Sequence, residues 1–271
     1  MIVLVVVAGL YGLLIGSFLN VVVWRLPRGE SLIRPASHCP NCDHPIRAYD
    51  NIPVVSWLVL RGKCRDCGNP ISIRYPAIEL GVGLFFAGIA LWAVTGGLPS
   101  ATPAAFIIAL IAYLYLAAIS VALAIIDLET RRLPNVLVLP AYLVGGVLLT
   151  AAALLNGDPW GLARAAIGAA ALFTAYLLMA LLSRGGMGFG DVKLAGVLGL
   201  FLAWLGWGQL AAGAFFPFLL GGLFSLVLVF ARGAGRKSKI PFGPWMLIGA
   251  WVGIFWGGQV FNWYLRLFGL A

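Results

Sequence analysis

Two aspartates stand at the borders of long apolar segments: Asp127 ends one, and Asp191 opens another inside Gly188-Phe189-Gly190-Asp191. The apolar segments are otherwise nearly free of acids, and an ionisable group at membrane depth is costly enough to call for a function. An even number of bilayer crossings between them would bring both to one surface. Two carboxylates in contact cannot both ionise, so they share a proton; one side can then activate water while the other protonates a carbonyl. The chemistry this pair offers is amide hydrolysis.

A second constellation is made of sulfur. Cys39-Pro40-Asn41-Cys42 and Cys64-Arg65-Asp66-Cys67-Gly68 hold all 4 cysteines. Paired Cys-x-x-Cys knuckles suit a tetrahedral zinc site, each supplying two thiolates. Four thiolates leave no open coordination position, so the role read here is structural. Two disulfides or free thiols are the alternative, and a reducing cytoplasm disfavours the disulfides. His38 and His44 flank the first knuckle and are read as bystanders.

The elements that must position these groups are membrane helices. The chain has 271 residues, 62% hydrophobic and 10% charged, with a mean hydropathy of +1.01, against roughly 25% charged residues in soluble domains. About eight apolar stretches are long enough to cross: Ile2–Val23, Ala77–Val94, Ala105–Ile126, Val136–Leu155, Gly161–Leu182, two within Val192–Ala231, and Pro241–Leu265. The long run is split at Trp204-Leu205-Gly206-Trp207-Gly208-Gln209, and its first half is short. With this count, 16 of the 18 basic residues fall on one side, in Arg25–Arg74, at Arg131, Arg132, Arg184 and Lys193, and in Arg232–Lys239. Only Arg164 and Arg266 fall on the other. The positive-inside rule makes the basic side cytoplasmic. The net charge of +9 therefore speaks for membrane topology and anionic lipid rather than nucleic acid.

The expected fold class is thus an all-α polytopic membrane protein with a small zinc-binding cytoplasmic domain between its first two helices. The expected divisions are 1–24, a first transmembrane helix; 25–76, a cytoplasmic zinc-knuckle domain; and 77–271, a transmembrane domain carrying the aspartates. No internal repeat is read. Two crossings lie between Asp127 and Asp191, so both face the cytoplasmic border. Helix polarity suggests unequal roles: Asp127, at a helix C-terminus, holds the shared proton, and Asp191, at a helix N-terminus, holds the charge. The glycines from Gly185 to Gly190 offer unusual backbone angles and close approach by an extended substrate. Lys193 and Arg131-Arg132 could tune the pair or hold an acidic group. Taken singly, Asp191 is also a favoured N-cap, and Asp127-Leu128-Glu129-Thr130-Arg131-Arg132 also reads as a solvated loop. An ion-coupled transporter using both aspartates, or a non-catalytic zinc-anchored scaffold, are rival functions.

These residues resemble the type IV prepilin peptidases, a family of Gly-x-Gly-Asp membrane aspartyl proteases. The likeness runs through Gly16-Ser17-Phe18-Leu19-Asn20-Val21-Val22, Arg25-Leu26-Pro27, Ser37-His38-Cys39-Pro40-x-Cys42 and Asn51-Ile52-Pro53-x-x-Ser56-Trp57. It continues in Arg61-Gly62-x-Cys64, Cys67, Pro70-Ile71-Ser72, Arg74-Tyr75-Pro76 and Glu79. The membrane part adds Asp127 with Leu133-Pro134-Asn135, Gly188-x-Gly190-Asp191-x-Lys193 and Pro241-Phe242-Gly243-Pro244. The resemblance implies Asp127 and Asp191 as catalytic residues and Cys39, Cys42, Cys64 and Cys67 as metal ligands, while Gly188, Gly190 and Lys193 are read from the loop itself as the substrate side of the site. It implies removal of the basic leader of type IV prepilins or type II secretion pseudopilins, after a glycine, at the cytoplasmic face of the bacterial inner membrane. It further implies S-adenosylmethionine-dependent N-methylation of the new N-terminal residue, with cofactor-binding residues unknown. Among the acids, Glu30, Asp43, Asp50, Asp66 and Glu129 are the candidate leader contacts.

Overall fold

The computed structural model describes residues 1–183, 187–232 and 241–269, Arg232 by its backbone alone. Arg184, Gly185, Gly186, Arg236, Lys237 and Lys239, which entered the charge and loop readings above, lie outside the described residues. The elements are helices: α1 Ile2–Arg25, α2 Val55–Val59, α3 Arg74–Trp92, α4 Pro103–Thr130, α5 Asn135–Asn156, α6 Pro159–Leu182, α7 Phe189–Leu205, α8 Trp207–Arg232 and α9 Gly243–Leu267. Extended pairing among the described residues is limited to two isolated bridges, His38 with Pro45 and Lys63 with Pro70. The chain divides into two units, Met1–Thr95 and Gly96–Ala271.

In the first unit α1 lies directly on α3. Lipid tails are as apolar as leucine, so membrane helices associate where small residues let backbones approach. A Cβ built on Gly12 would stand 2.8 Å from Phe86 Cβ, and one on Gly16 would stand 2.7 Å from Glu79 Cα. Backbone cannot yield as a side chain can. Gly16→Leu is therefore expected to lower the melting temperature of the purified protein, at a cost of at least about 1–3 kcal/mol. Gly88→Ala, in the same helix pair but with nothing within 4 Å of the new methyl, should leave it unchanged or raise it. Buried Glu79 also ties the intervening segment to α3, its Oε2 accepting the Val54 N–H at 2.7 Å. Val54 sits at φ 63°, ψ −50°, and the Val55 N–H donates to Pro53 O at 2.6 Å. This is the strained form of the γ-turn, costly for a β-branched residue and held by its surroundings.

In the second unit α7 is the central helix, buried at all but Lys193 from Val192 to Gly199 and packed by α5, α6, α8 and α9. It crosses α6 where Gly168 and Gly199 leave no room for a Cβ on either helix. Its C-terminal carbonyls are capped by Arg164, which donates to Ala203 O at 2.5 Å and Trp204 O at 2.6 Å, a cation at the negative end of the dipole. The chain breaks at Gly206, between Leu205 and Trp207, inside the turn expected there.

Among the described residues, six helical segments are long and apolar enough to cross a bilayer: Ile2–Arg28, Arg74–Gly97, Pro103–Thr130, Asn135–Asn156, Pro159–Leu182 and Trp207–Ala231. A count of about eight would need α7 and α9 too. The 17 residues of α7 extend about 25 Å against a hydrocarbon core of about 30 Å. A helix sheathed by protein need not match the lipid. The 25 residues of α9 carry only one charge, Arg266, but glycines and tryptophans dilute their apolar character. The out-and-back argument depends on neither, because α5 and α6, between the two aspartates, both qualify.

Candidate active site and cysteine centre

Asp127 lies in the last turn of α4, whose C-cap is Arg131 in a left-handed conformation donating to Asp127 O. Its side chain is turned inward and 5% exposed. There the carboxylate meets the start of α9: Oδ2 accepts the Gly243 N–H at 3.1 Å. That N–H opens a helix and has no partner within it, so it suits an anion. Gly243 is also required by space, since a Cβ there would lie 2.6 Å from Asp127 Oδ2.

Asp191 is not the N-cap but the third residue of α7; Gly188 is the cap, and Asp191 Oδ2 reaches back to its N–H at 3.1 Å. The charge on Asp127 acts on Asp191, so the two carboxylates stand within electrostatic reach. Leu133 is the spacer between the two helix starts: a Cβ on Gly190 would lie 3.0 Å from its Cβ, and one on Gly243 3.3 Å from its Cδ2. The ends of α4, α5, α7 and α9 thus converge. Because each carboxylate accepts one N–H at a helix start, the single-helix argument for an unequal proton between them loses its basis.

The glycines act differently from the sequence expectation. Gly188 is extended at φ −77°, ψ 146°, which any residue adopts, and Gly190 is helical. The need at Gly190 is space against Leu133. Lys193 is engaged by other partners, its Nζ donating to Asn135 Oδ1 at 2.9 Å and lying 4.8 Å from the Phe189 ring centroid. Asn135 and Tyr142, whose hydroxyl donates to Lys193 O at 2.6 Å, fasten α5 to the first turns of α7. Neither was singled out as a functional residue in the sequence, nor was Tyr176. Tyr176 is buried in α6, with ring centroids 5.7 Å from Phe218 and 6.4 Å from Phe242, and within electrostatic reach of Asp191. The only sequence signal for it was a hydroxyl in an apolar helix.

In the first unit the sulfur atoms of Cys39, Cys42, Cys64 and Cys67 all lie within 4.8 Å of one another, and none is in a disulfide. Zinc–sulfur bonds of about 2.3 Å in a tetrahedron require sulfur atoms about 3.8 Å apart, and Cys39 Sγ and Cys67 Sγ stand 3.8 Å apart. The donor set fits zinc. His38 takes no part; its Nδ1 lies 3.1 Å from Ala36 O. The two knuckles are copies of one another, which corrects the reading of no repeat. Cys39 N–H donates to His44 O and Cys64 N–H to Asn69 O, while Ile46 N–H donates to Ser37 O and Ile71 N–H to Gly62 O. Asp43 and Gly68 occupy matching positions at φ 58° and 72°. Cys39-x-x-Cys42-x-x-Pro45-Ile46 and Cys64-x-x-Cys67-x-x-Pro70-Ile71 carried the signal.

Charge pairs brace the same segment. Arg65 donates to both oxygens of Asp50, at 2.6 to 3.0 Å, and holds that carboxyl below the usual carboxylate range. Arg47 pairs with Asp66 at 3.0 Å. Of the candidate leader contacts, Asp50 and Asp66 are therefore engaged with arginines.

Residues 10–93 match the family described as Bacterial Peptidase A24 N-terminal domain, and residues 114–231 match the Type IV leader peptidase family. The prepilin leader peptidase/N-methyltransferase of Aeromonas hydrophila is 38% identical, over 96% of this chain and 93% of the relative. Proteins of the same name from Pseudomonas aeruginosa and Neisseria gonorrhoeae are each 34% identical, over 96% and 95% of this chain and 93% of each relative. No solved structure matches the chain.

Proposed function

Because the chain belongs to the type IV leader peptidase family, we propose that it is a multi-pass inner-membrane aspartyl endopeptidase with Asp127 and Asp191 as its catalytic pair. Its substrates are type IV prepilins or type II secretion pseudopilins, cut at the cytoplasmic border of the bilayer, where the basic leader meets the apolar helix. The observation that carries the reading is the convergence of two carboxylates, each held by a helix-start N–H, with Leu133 packed against both of those helix starts.

The pair shares one proton because two carboxylates brought to one site resist double ionisation. The ionised carboxylate takes a proton from water as the water oxygen bonds to the scissile carbonyl carbon. The protonated partner gives its proton to the carbonyl oxygen, and a neutral gem-diol forms. The acid that gained the water proton then passes it to the amide nitrogen. As the C–N bond breaks, one diol hydroxyl returns its proton to the other carboxylate. The leader leaves as a carboxylic acid, the mature chain as an amine, and the pair again holds one proton. The Gly188 and Gly243 N–H groups keep the carboxylates aimed.

Gly243→Ala tests that aim. Its backbone N–H remains, but the new methyl meets Asp127 Oδ2, so leader removal should fall by about 10-fold or more, while prepilin affinity holds. Cleavage at the parental rate in detergent would count against this placement of Asp127.

The cysteine centre is read as structural zinc holding the segment between α1 and α3. Methylation of the new N-terminus is proposed from the relatives alone. A cavity of about 370 Å³ in the first unit is lined by Ser17, Arg25, Ser37 and Asn51 among apolar residues. Its Arg25 suits the carboxylate of S-adenosylmethionine, but no lining carboxylate meets the sulfonium or ammonium, and no methyl-transfer step is built on it. Incubation with labelled S-adenosylmethionine and cleaved pilin tests the methylation.

A further inference from the structure

We propose that Tyr176 is a catalytic residue of the peptidase site, its phenol donating a hydrogen bond to the substrate oxygen that develops charge as water adds. The proposal rests on the reading of Asp127 and Asp191 as the catalytic pair. Four observations support it. Tyr176 is 3% exposed in α6, a helix whose other polar side chains are those of Arg164 and Thr174. Its ring is clamped by Phe218 and Phe242, whose own centroids are 5.4 Å apart, so the phenol has a fixed direction. Phe242 immediately precedes Gly243, which binds Asp127, and Tyr176 itself lies within reach of the Asp191 charge. The aromatic cluster therefore touches both halves of the site.

The fourth observation is what the hydroxyl lacks. Tyr113 and Tyr142, the other tyrosines packed against α7, both spend their hydroxyls on main-chain carbonyls, Phe201 O at 2.8 Å and Lys193 O at 2.6 Å. Tyr176 has no hydrogen-bond partner among the described residues, yet no fully enclosed side-chain oxygen or nitrogen is left unsatisfied. Its oxygen is therefore not fully enclosed by the protein. A buried phenol normally finds a partner, and one left free next to a carboxylate pair is supplied with one by the substrate. The phenol stays protonated throughout, so it adds no proton transfer to the dyad's cycle. It stabilises the oxygen until the carboxylic acid proton arrives, as preorganised donors do at developing oxyanions.

Tyr176→Phe in the full-length protein, assayed in detergent on a prepilin, is the test. The expected result is a fall of about 100-fold in kcat, with KM and melting temperature unchanged because the hydroxyl makes no bond in the resting fold. Tyr142→Phe serves as the contrast: it loses a bond and should lower the melting temperature. Parental kcat in Tyr176→Phe would overturn the proposal, and so would a kcat loss matched by a fall in melting temperature. If Asp127→Asn or Asp191→Asn also cleaves, the catalytic pair itself is wrong. If only Tyr176→Phe cleaves at full rate, the pair stands and this inference alone fails.

Discussion

Asp127→Asn and Asp191→Asn should each lower prepilin leader removal by at least about 10³-fold, while both variants insert, purify and melt like the parent. The magnitude follows from the chemistry, since each carboxylate must exchange a proton within one turnover and an amide cannot, and single losses within a catalytic unit cost nearly as much as losing the whole unit. The unchanged stability follows from the geometry. In each case the carboxylate accepts one N–H, from Gly243 or from Gly188, and the side-chain oxygen of asparagine can accept the same N–H in the same place. The double variant should be no worse than either single one, because removing half of a shared-proton pair already ends its function. Single-turnover cleavage of a purified prepilin reads all three. Full leader removal by either variant would refute the pair. The same comparison separates a peptidase from an ion-coupled transporter, whose transport would survive without any cleavage.

The second large effect concerns the metal. Intact protein should contain one zinc per chain, and Cys64→Ser should lose it together with the order of the segment from Ser37 to Ile71. Structural zinc contributes on the order of 10 kcal/mol to small domains. Beside the metal the segment is held by hydrogen bonds such as Val54 N–H to Glu79 and Trp57 Nε1–H to Ile71 O, and by the ion pairs of Arg65 with Asp50 and Arg47 with Asp66, which are of modest value because their arginines are exposed. Cys39→Ser should behave alike, because the knuckles are copies with matching hydrogen bonds. Elemental analysis and limited proteolysis with and without a chelator make the measurement. Absence of zinc from intact protein, or a protease-resistant segment after its removal, would show that the four sulfurs are held by packing alone. The helices of the second unit should melt as before, which distinguishes metal loss from general unfolding.

How far the chain could be read without its fold differs from residue to residue. Apolar length alone placed α1 and α3 to α6, because a lipid-spanning helix must be long and continuous. Length and apolar composition do not by themselves qualify α7 and α9 as crossings, one being short and sheathed by neighbours, the other diluted by glycine and tryptophan. The cysteine cluster was legible because its four sulfurs lie close along the chain in two Cys-x-x-Cys knuckles, the spacing that a tetrahedral metal site asks for. The two aspartates were legible because acids are rare beside apolar runs, and out-and-back crossing returns a chain to its starting surface. What aims them was not. Gly243 reaches Asp127 across 116 residues, Leu133 spaces two helix starts, and Tyr176 arrives from a third helix. Local pattern records which residue types a segment carries and how they repeat. Which backbone N–H, methyl or phenol faces a given carboxylate is set by how separate helices pack, and only the tertiary structure decides that.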